Sequence, residues 1–260
     1  ATATWSAALP FAVSNLLWSV YAQVDPALLT VLATPRDAGI YGVIYRFIDL
    51  VQVAPRLLIV VAYPMMAVAW IRERERFHRG VAVLRDLLLL VGLPVLFVPI
   101  LWGEGLLRLG FGPQYAVGAG ALQVLMVGSF FAFQSLMLMQ ALQAAGKERA
   151  LMWVLGLTVG LKVLLNCALA PRWGYLGTAV ASAATEIGYF ALLAGLLRRA
   201  DPARAHPIGL GEMIGAAVLA VSAFLIASGA PIWGGVIFAA TWLLLVARLA
   251  PRELAALRNF

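Results

Sequence analysis

Residues 39–70 read GIYGVIYRFIDLVQVAPRLLIVVAYPMMAVAW, a run long enough to cross a lipid bilayer that nevertheless carries Arg46, Asp49 and Arg56. A helix needs about 20 apolar residues to cross about 30 Å of hydrocarbon. An ionised side chain at the centre costs about 2.5–3.5 kcal/mol on insertion scales, so such residues turn toward a protein interior or a wet cavity. On a 3.6-residue period Arg46, Asp49, Val53 and Arg56 share an arc of about 80°, with Tyr45, Gln52 and Tyr63 along its edge. The segment therefore reads as a membrane helix with one polar stripe. It bends where Pro55 and Pro64 remove backbone hydrogen bonds.

The rest of the chain supports the same class. Of its 260 residues 63% are hydrophobic and 12% charged, against about 45–50% apolar and about 25% charged in soluble domains. The apolar blocks are long and uninterrupted, unlike the short alternating strands of a membrane barrel. The sequence predicts an all-α integral membrane protein, a bundle of about eight transmembrane helices at 5–33, 38–70, 85–107, 117–145, 150–170, 174–197, 211–229 and 231–249. The longest connections are RERERFHRG and RRADPARAHPIGLGE, and no soluble domain fits between spans.

Lys and Arg alternate in density from loop to loop. One side collects Arg72, Arg74, Arg76, Arg79 and Arg85, then Lys147 and Arg149, then Arg198, Arg199 and Arg204, then Arg248, Arg252 and Arg258. The other holds Arg36, Arg108 and Arg172. Cytoplasmic loops carry this excess, which places both termini in the cytoplasm. The run RERER is an orientation signal, with headgroup recognition as the other reading.

The net charge of +7 does not indicate nucleic acid, because the basic residues are scattered through short loops with no basic arm. The single cysteine, Cys167, falls in a span, and His78 and His206 fall in loops, so no disulfide and no metal site is expected. The chain opens ATATWSAALP without a basic n-region, which argues against a signal peptide and for a missing upstream segment.

Four other spans carry polar stripes of their own. Asn15, Trp18, Ala22 and Asp25 share a face of the first; Gln123, Val127, Phe130, Gln134 and Met137 a face of the fourth. Thr158, Lys162 and Asn166 recur one turn apart in the fifth, and Thr178, Ser182, Thr185, Glu186 and Tyr189 lie on one side of the sixth. Five such helices describe a hydrated vestibule, with the stripe-free third, seventh and eighth spans against lipid. The uncharged polar groups read equally well as interhelical glue at about 0.6 kcal/mol each, but charges are too costly for that alone. Arg46 and Asp49 are spaced to pair on their own helix, leaving Arg56 and Lys162 as the freer cations. Glu186 either pairs with Lys162 or carries a proton. A guanidinium in a low-dielectric pocket binds phosphate or diphosphate bidentately, so an anionic headgroup is the expected cargo.

Three stretches carry a resemblance. GIYGVIYRFIDLVQVAPRLLIVVAYPMM with the preceding VDPALL, FGPQYAVGAGALQVLMVG, and AAGKERALMWVLGLTVGLKVLLNCALAPRWGYLGTAVASAATE resemble, in order and spacing, the polysaccharide flippases of the multidrug/oligosaccharidyl-lipid/polysaccharide exporter superfamily, the O-antigen and lipid II flippase relatives. Members have two six-helix lobes, often followed by two extra helices, and move lipid-linked sugars across the bacterial cytoplasmic membrane by alternating access. The resemblance implies that residues 1–200 are a six-helix transmembrane lobe, the second of a flippase, and residues 201–260 two additional helices with a short cytoplasmic tail. Gly39 and Tyr41 match the start of the second helix, Gly112, Pro113 and Tyr115 the loop before the fourth, and Asn166, Pro171, Gly174 and Gly177 the turn between the fifth and sixth. The glycines of those two loops fit tight turns and close backbone approach.

The resemblance assigns Arg46, Arg56 and Lys162 to the diphosphate of an undecaprenyl-linked glycan, with Asn166 and Gln134 completing the substrate site. Asp25, Asp49 and Glu186 are the candidates for coupling or charge pairing, with Na⁺ or H⁺ as possible driving ion and no other cofactor. The final helix pair would hold the prenyl tail, and the implied partners are membrane lipid, the anionic glycan lipid and a missing N-terminal lobe, since a flippase cavity lies between two lobes. A multidrug or cation antiporter of the same superfamily is the first rival, but it requires acidic groups to dominate the cavity. A membrane-embedded lipid-sugar transferase is the second; it requires metal-spaced carboxylates, whereas Asp37, Asp86 and Glu104 stand apart in sequence.

Overall fold

The computed structural model describes residues 2–201 and, beyond them, residues 236, 239, 240, 242–244, 246 and 247. The predicted span 211–229 and most of 231–249 thus lie outside the described residues, as does most of the predicted division 201–260. The described elements are helical: α1 (Thr2–Leu32), α2 (Pro35–Val51), α3 (Val53–Arg72), α4 (Arg74–Phe111), a 3-10 helix (Pro113–Gly118), α5 (Ala119–Ala144) and α6 (Glu148–Ala200). Four segments within them are long and apolar enough to cross a membrane: Pro35–Arg72, Arg74–Phe111, Pro113–Ala144 and Glu148–Ala200. Among the described residues the protein is helical, with the long apolar helices of a membrane protein.

Sequence punctuation explains the boundaries. Thr34 caps α2 in a reciprocal capping box with Asp37, ahead of Pro35 at the first helical position. The predicted bend of the 39–70 segment is a break at Gln52, three residues before Pro55, whose ring removes the N–H that would bond the Val51 carbonyl. The next boundary departs from expectation. RERERFHRG is not a loop: only Glu73, with extended backbone, interrupts the helices, and α4 begins at Arg74. Its first turns are held by Arg74 over the Trp70 ring at 3.3 Å and by His78 Nε2 against Asp201 at 3.2 Å, across the end of α6. The acidic residues that stand apart in sequence also have local work: Asp86 pairs with Arg85 at 2.8 Å and Glu104 with Arg108 at 2.6 Å.

Prolines inside spans free carbonyls that lipid cannot satisfy, and neighbouring helices supply the donors. Pro26 has no N–H for the Ala22 carbonyl, which instead accepts from the Tyr45 hydroxyl at 3.1 Å. Pro94 leaves the Leu90 carbonyl in the same position, and the Trp242 indole donates to it at 3.0 Å. At the kink of α4 around Trp102, Gln123 Nε2 donates to the Ile100 carbonyl at 2.9 Å, so Gln123 is interhelical glue.

α6 folds back on itself at Gly174, whose φ of 54° and ψ of −134° suit glycine. A Cβ on Gly177 would lie 2.4 Å from the Leu169 carbonyl oxygen, so the two arms touch through backbone just past the turn. Gly112 ends α4 with φ 106°. The predicted turn and close-approach roles of these glycines are present, whereas Gly39 has open space around it. α5 is the central helix, packed against α3, α4 and α6, with α1 along α6. A Cβ on Gly128 would lie 2.8 Å from the Ala183 Cα, a backbone-to-backbone crossing of the kind that joins membrane helices. Around α5 the core forms two apolar clusters, one with Leu93, Phe97, Leu122, Met126 and Phe133, the other with Phe77, Leu88, Leu138, Leu142 and Leu193. Val60, Val61, Leu109, Trp153 and Leu157 point outward. A groove of about 540 Å³ between α3 and α4 is lined by Leu57, Val61, Met65, Val83 and Leu87, as a surface facing acyl chains requires.

Candidate functional site

Asp25 organises the polar interior. It sits at 1% exposure on α1 and accepts from Lys162 Nζ at 2.9 Å, Ser182 Oγ at 2.7 Å, Asn166 Nδ2 at 3.0 Å and the Tyr41 hydroxyl at 3.3 Å. Those donors come from α2 and from both arms of α6, so one carboxylate ties four helical segments. Lys162, at 2% exposure, also faces the Tyr21 carbonyl at 3.4 Å and lies 4.0 Å over the Tyr21 ring. An isolated ion at this depth would be prohibitive, and a paired one is tolerated only with its remaining hydrogen bonds made, which is the arrangement found here.

Beside this pair lies a cleft of about 90 Å³. Its walls come from α1, α2, α3, α5 and both arms of α6, and its polar lining includes Tyr21, Tyr45, Arg56, Ser129, Lys162 and Glu186. Glu186 accepts a hydrogen bond from the Tyr21 hydroxyl at 2.6 Å. Arg56 is exposed at the rim and donates to Gln52 Oε1 at 2.6 Å. Ligand pockets for small molecules run to about 300–1,000 Å³, so the cleft as it stands has room for one phosphate-sized group and not for a glycan. The cleft draws on the helices expected to build the vestibule, but Arg46 and Asp49 do not line it and its volume is small.

The predicted residues separate into three positions. Lys162, Arg56 and Glu186 line the cleft. Asp25 and Asn166 are buried behind it, with Asn166 Nδ2 also donating to the Lys162 carbonyl at 2.9 Å. Arg46 and Asp49 are exposed on α2 and do not line the cleft, and Gln134 is buried in α5 away from the cleft lining.

Three expectations are corrected by this geometry. Lys162 is not a free cation, because Asp25 on another helix compensates it. Its partner is Asp25, and Glu186 bonds Tyr21 instead. Arg46 and Asp49 form no ion pair with each other among the described residues; both are exposed, and water competes with a single-turn contact there. Gln134 shares the polar side of α5 in projection, yet its side chain is enclosed, with Oε1 accepting no hydrogen bond among the described residues. Tyr21 and Tyr41 went unassigned as site residues. The signal was available in the spacing of Tyr21 one turn before Asp25.

No protein-family model and no solved structure matches the chain. It is similar to the Shigella flexneri protein named "Putative O-antigen transporter", with 25% identity over 180 residues, which cover 65% of this chain and 40% of that protein. The chain thus matches less than half the length of that relative.

Proposed function

We propose that this chain is one lobe of an exporter that carries an anionic, undecaprenyl-diphosphate-linked glycan precursor across the bacterial cytoplasmic membrane by alternating access, with both termini in the cytoplasm. The carrying observation is that Arg46, Asp49 and Arg56 are exposed near the middle of the Pro35–Arg72 span. Lipid does not accommodate three charges there, so this face looks onto water and a second lobe, as the surface of a transport cavity does. The similarity to a protein named as an O-antigen transporter supports the polysaccharide class, and that protein's greater length leaves room for another lobe.

Arg46 and Arg56 supply the cations for the diphosphate; Lys162 in the cleft wall and Asn166 one layer behind it fix Asp25. The small cleft suits a headgroup phosphate at its rim, and the sugars occupy the wider space between lobes. The reading requires no covalent chemistry.

In the two-lobed protein, Arg56→Ala should lower glycan export about 10- to 100-fold, the equivalent of one charge-assisted hydrogen bond of about 1.5–3 kcal/mol, with normal amounts of protein in the membrane. Complementation of a flippase-null strain measures it, and full activity in the variant would exclude a cargo contact at Arg56. Binding of a cationic dye in preference to a prenyl diphosphate would instead select a drug exporter.

A further inference from the structure

Resting on the reading of the cleft as an anion site, the charge arrangement around Glu186 carries a further step. Four ionisable groups of opposite sign border or underlie the cleft: Lys162 and Arg56, Asp25 and Glu186. Their formal charges cancel when all are ionised. The Lys162–Asp25 pair is internally matched at 2.9 Å and enclosed by Asn166, Ser182 and Tyr41. Glu186 forms no ion pair among the described residues, Lys162 being paired with Asp25; the hydrogen bond it accepts comes from a neutral phenol, Tyr21. It is also half-buried and in the cleft wall. The titratable or charged groups that face it are Tyr21 and, a turn further along, Asp25 from α1; Tyr45 from α2; Arg56 from α3; and Lys162 and Tyr189 from α6. α5 contributes Ser129 and Ser135 and no titratable lining residue.

We infer that Glu186 is the residue at which a proton binds the cleft, and that this proton and the anionic cargo bind together. With Glu186 ionised the cleft is formally neutral, and its carboxylate repels an incoming diphosphate across the same space. With Glu186 protonated the balance becomes one net positive charge. The proton adds to a carboxylate oxygen and no other bond changes; Tyr21 still donates to the group. Binding free energies are reciprocal, so a proton that favours the anion is itself taken up when the anion binds. Anion affinity should fall as pH rises, by up to about tenfold per pH unit for one linked proton.

The test uses the purified protein in phosphatidylcholine nanodiscs with farnesyl diphosphate as probe, titrated from pH 6 to 9. Proton uptake is read in weakly buffered solution with an indicator dye, net of the probe's own titration. The wild type should take up about one proton per anion bound and lose affinity with rising pH. Glu186→Gln, a fixed neutral form, should bind with an affinity that does not change with pH, and Glu186→Asp should retain the dependence. Binding without proton uptake in the wild type, or a pH dependence unchanged in Glu186→Gln, overturns the assignment of the proton while leaving the anion site standing. No binding of the probe at any pH overturns both. The uptake measurement needs only the wild type, so a variant that fails to fold does not remove the test.

Discussion

Lys162→Ala should remove folded protein from the membrane, not merely silence it. The substitution leaves the Asp25 carboxylate at 1% exposure without its cation. Breaking a buried pair by deleting one partner costs about 3–5 kcal/mol, because the other charge stays buried and uncompensated. Asn166, Ser182 and Tyr41 would still donate, but three neutral donors do not replace an ammonium. A drop in the thermal midpoint of the detergent-solubilised protein, with loss of the monodisperse peak in size-exclusion chromatography, is the expected readout. Removing both charges together, with Lys162→Met and Asp25→Leu, should recover most of the folded yield, since an apolar pair of similar volume is often neutral or better. An unchanged midpoint for Lys162→Ala alone would mean that the pair does not hold the helices together.

The second large effect is expected at the turn inside α6. Gly174→Val places a β-branched side chain at φ 54°, ψ −134°, and its Cβ would lie 2.6 Å from the Asp37 carboxylate. Backbone strain of this kind costs about 1–3 kcal/mol, and overpacking adds about 1–3 kcal/mol more. The damage extends beyond the turn, since the two arms of α6 deliver Lys162 and Asn166 from one side and Ser182 from the other to Asp25. Gly39→Ala is the contrast. A Cβ there meets nothing within 4 Å, so this change should be neutral or gain about 0.5–1 kcal/mol of helix stability. Equal loss of folded yield from both substitutions would refute the distinction.

How far the sequence could be read follows from what periodicity encodes. A 3.6-residue period gives the direction of each side chain about its own helix axis, and that sufficed to group Trp18, Tyr45, Arg56, Lys162 and Glu186 toward one space. Glycines with positive φ were legible for the same local reason: Gly112 and Gly174 stand where a chain must turn between two apolar blocks. Period says nothing about depth along the axis or about the neighbouring helix. Lys162 therefore looked free until α1 placed Asp25 against it, and Gln134 looked like lining until α5 proved to be the enclosed central helix. RERERFHRG misled through composition. Its charges resemble a loop, but Phe77 at 2% exposure and the Trp70 ring bury one side of it and hold a helix.

The outward charges of α2 and α3 bear the whole functional reading, and thiol labelling in the intact membrane tests them most directly. In a Cys167→Ala background, single cysteines at Arg46, Asp49 and Arg56 should react within minutes with a membrane-impermeant methanethiosulfonate reagent, while cysteines at Val60, Val61 and Leu57 stay unlabelled. Labelling of the first group alone is the result expected of a water-filled face at bilayer depth. Protection of Arg46, Asp49 and Arg56 positions to the same degree as the apolar ones would place that face in lipid and contradict the account.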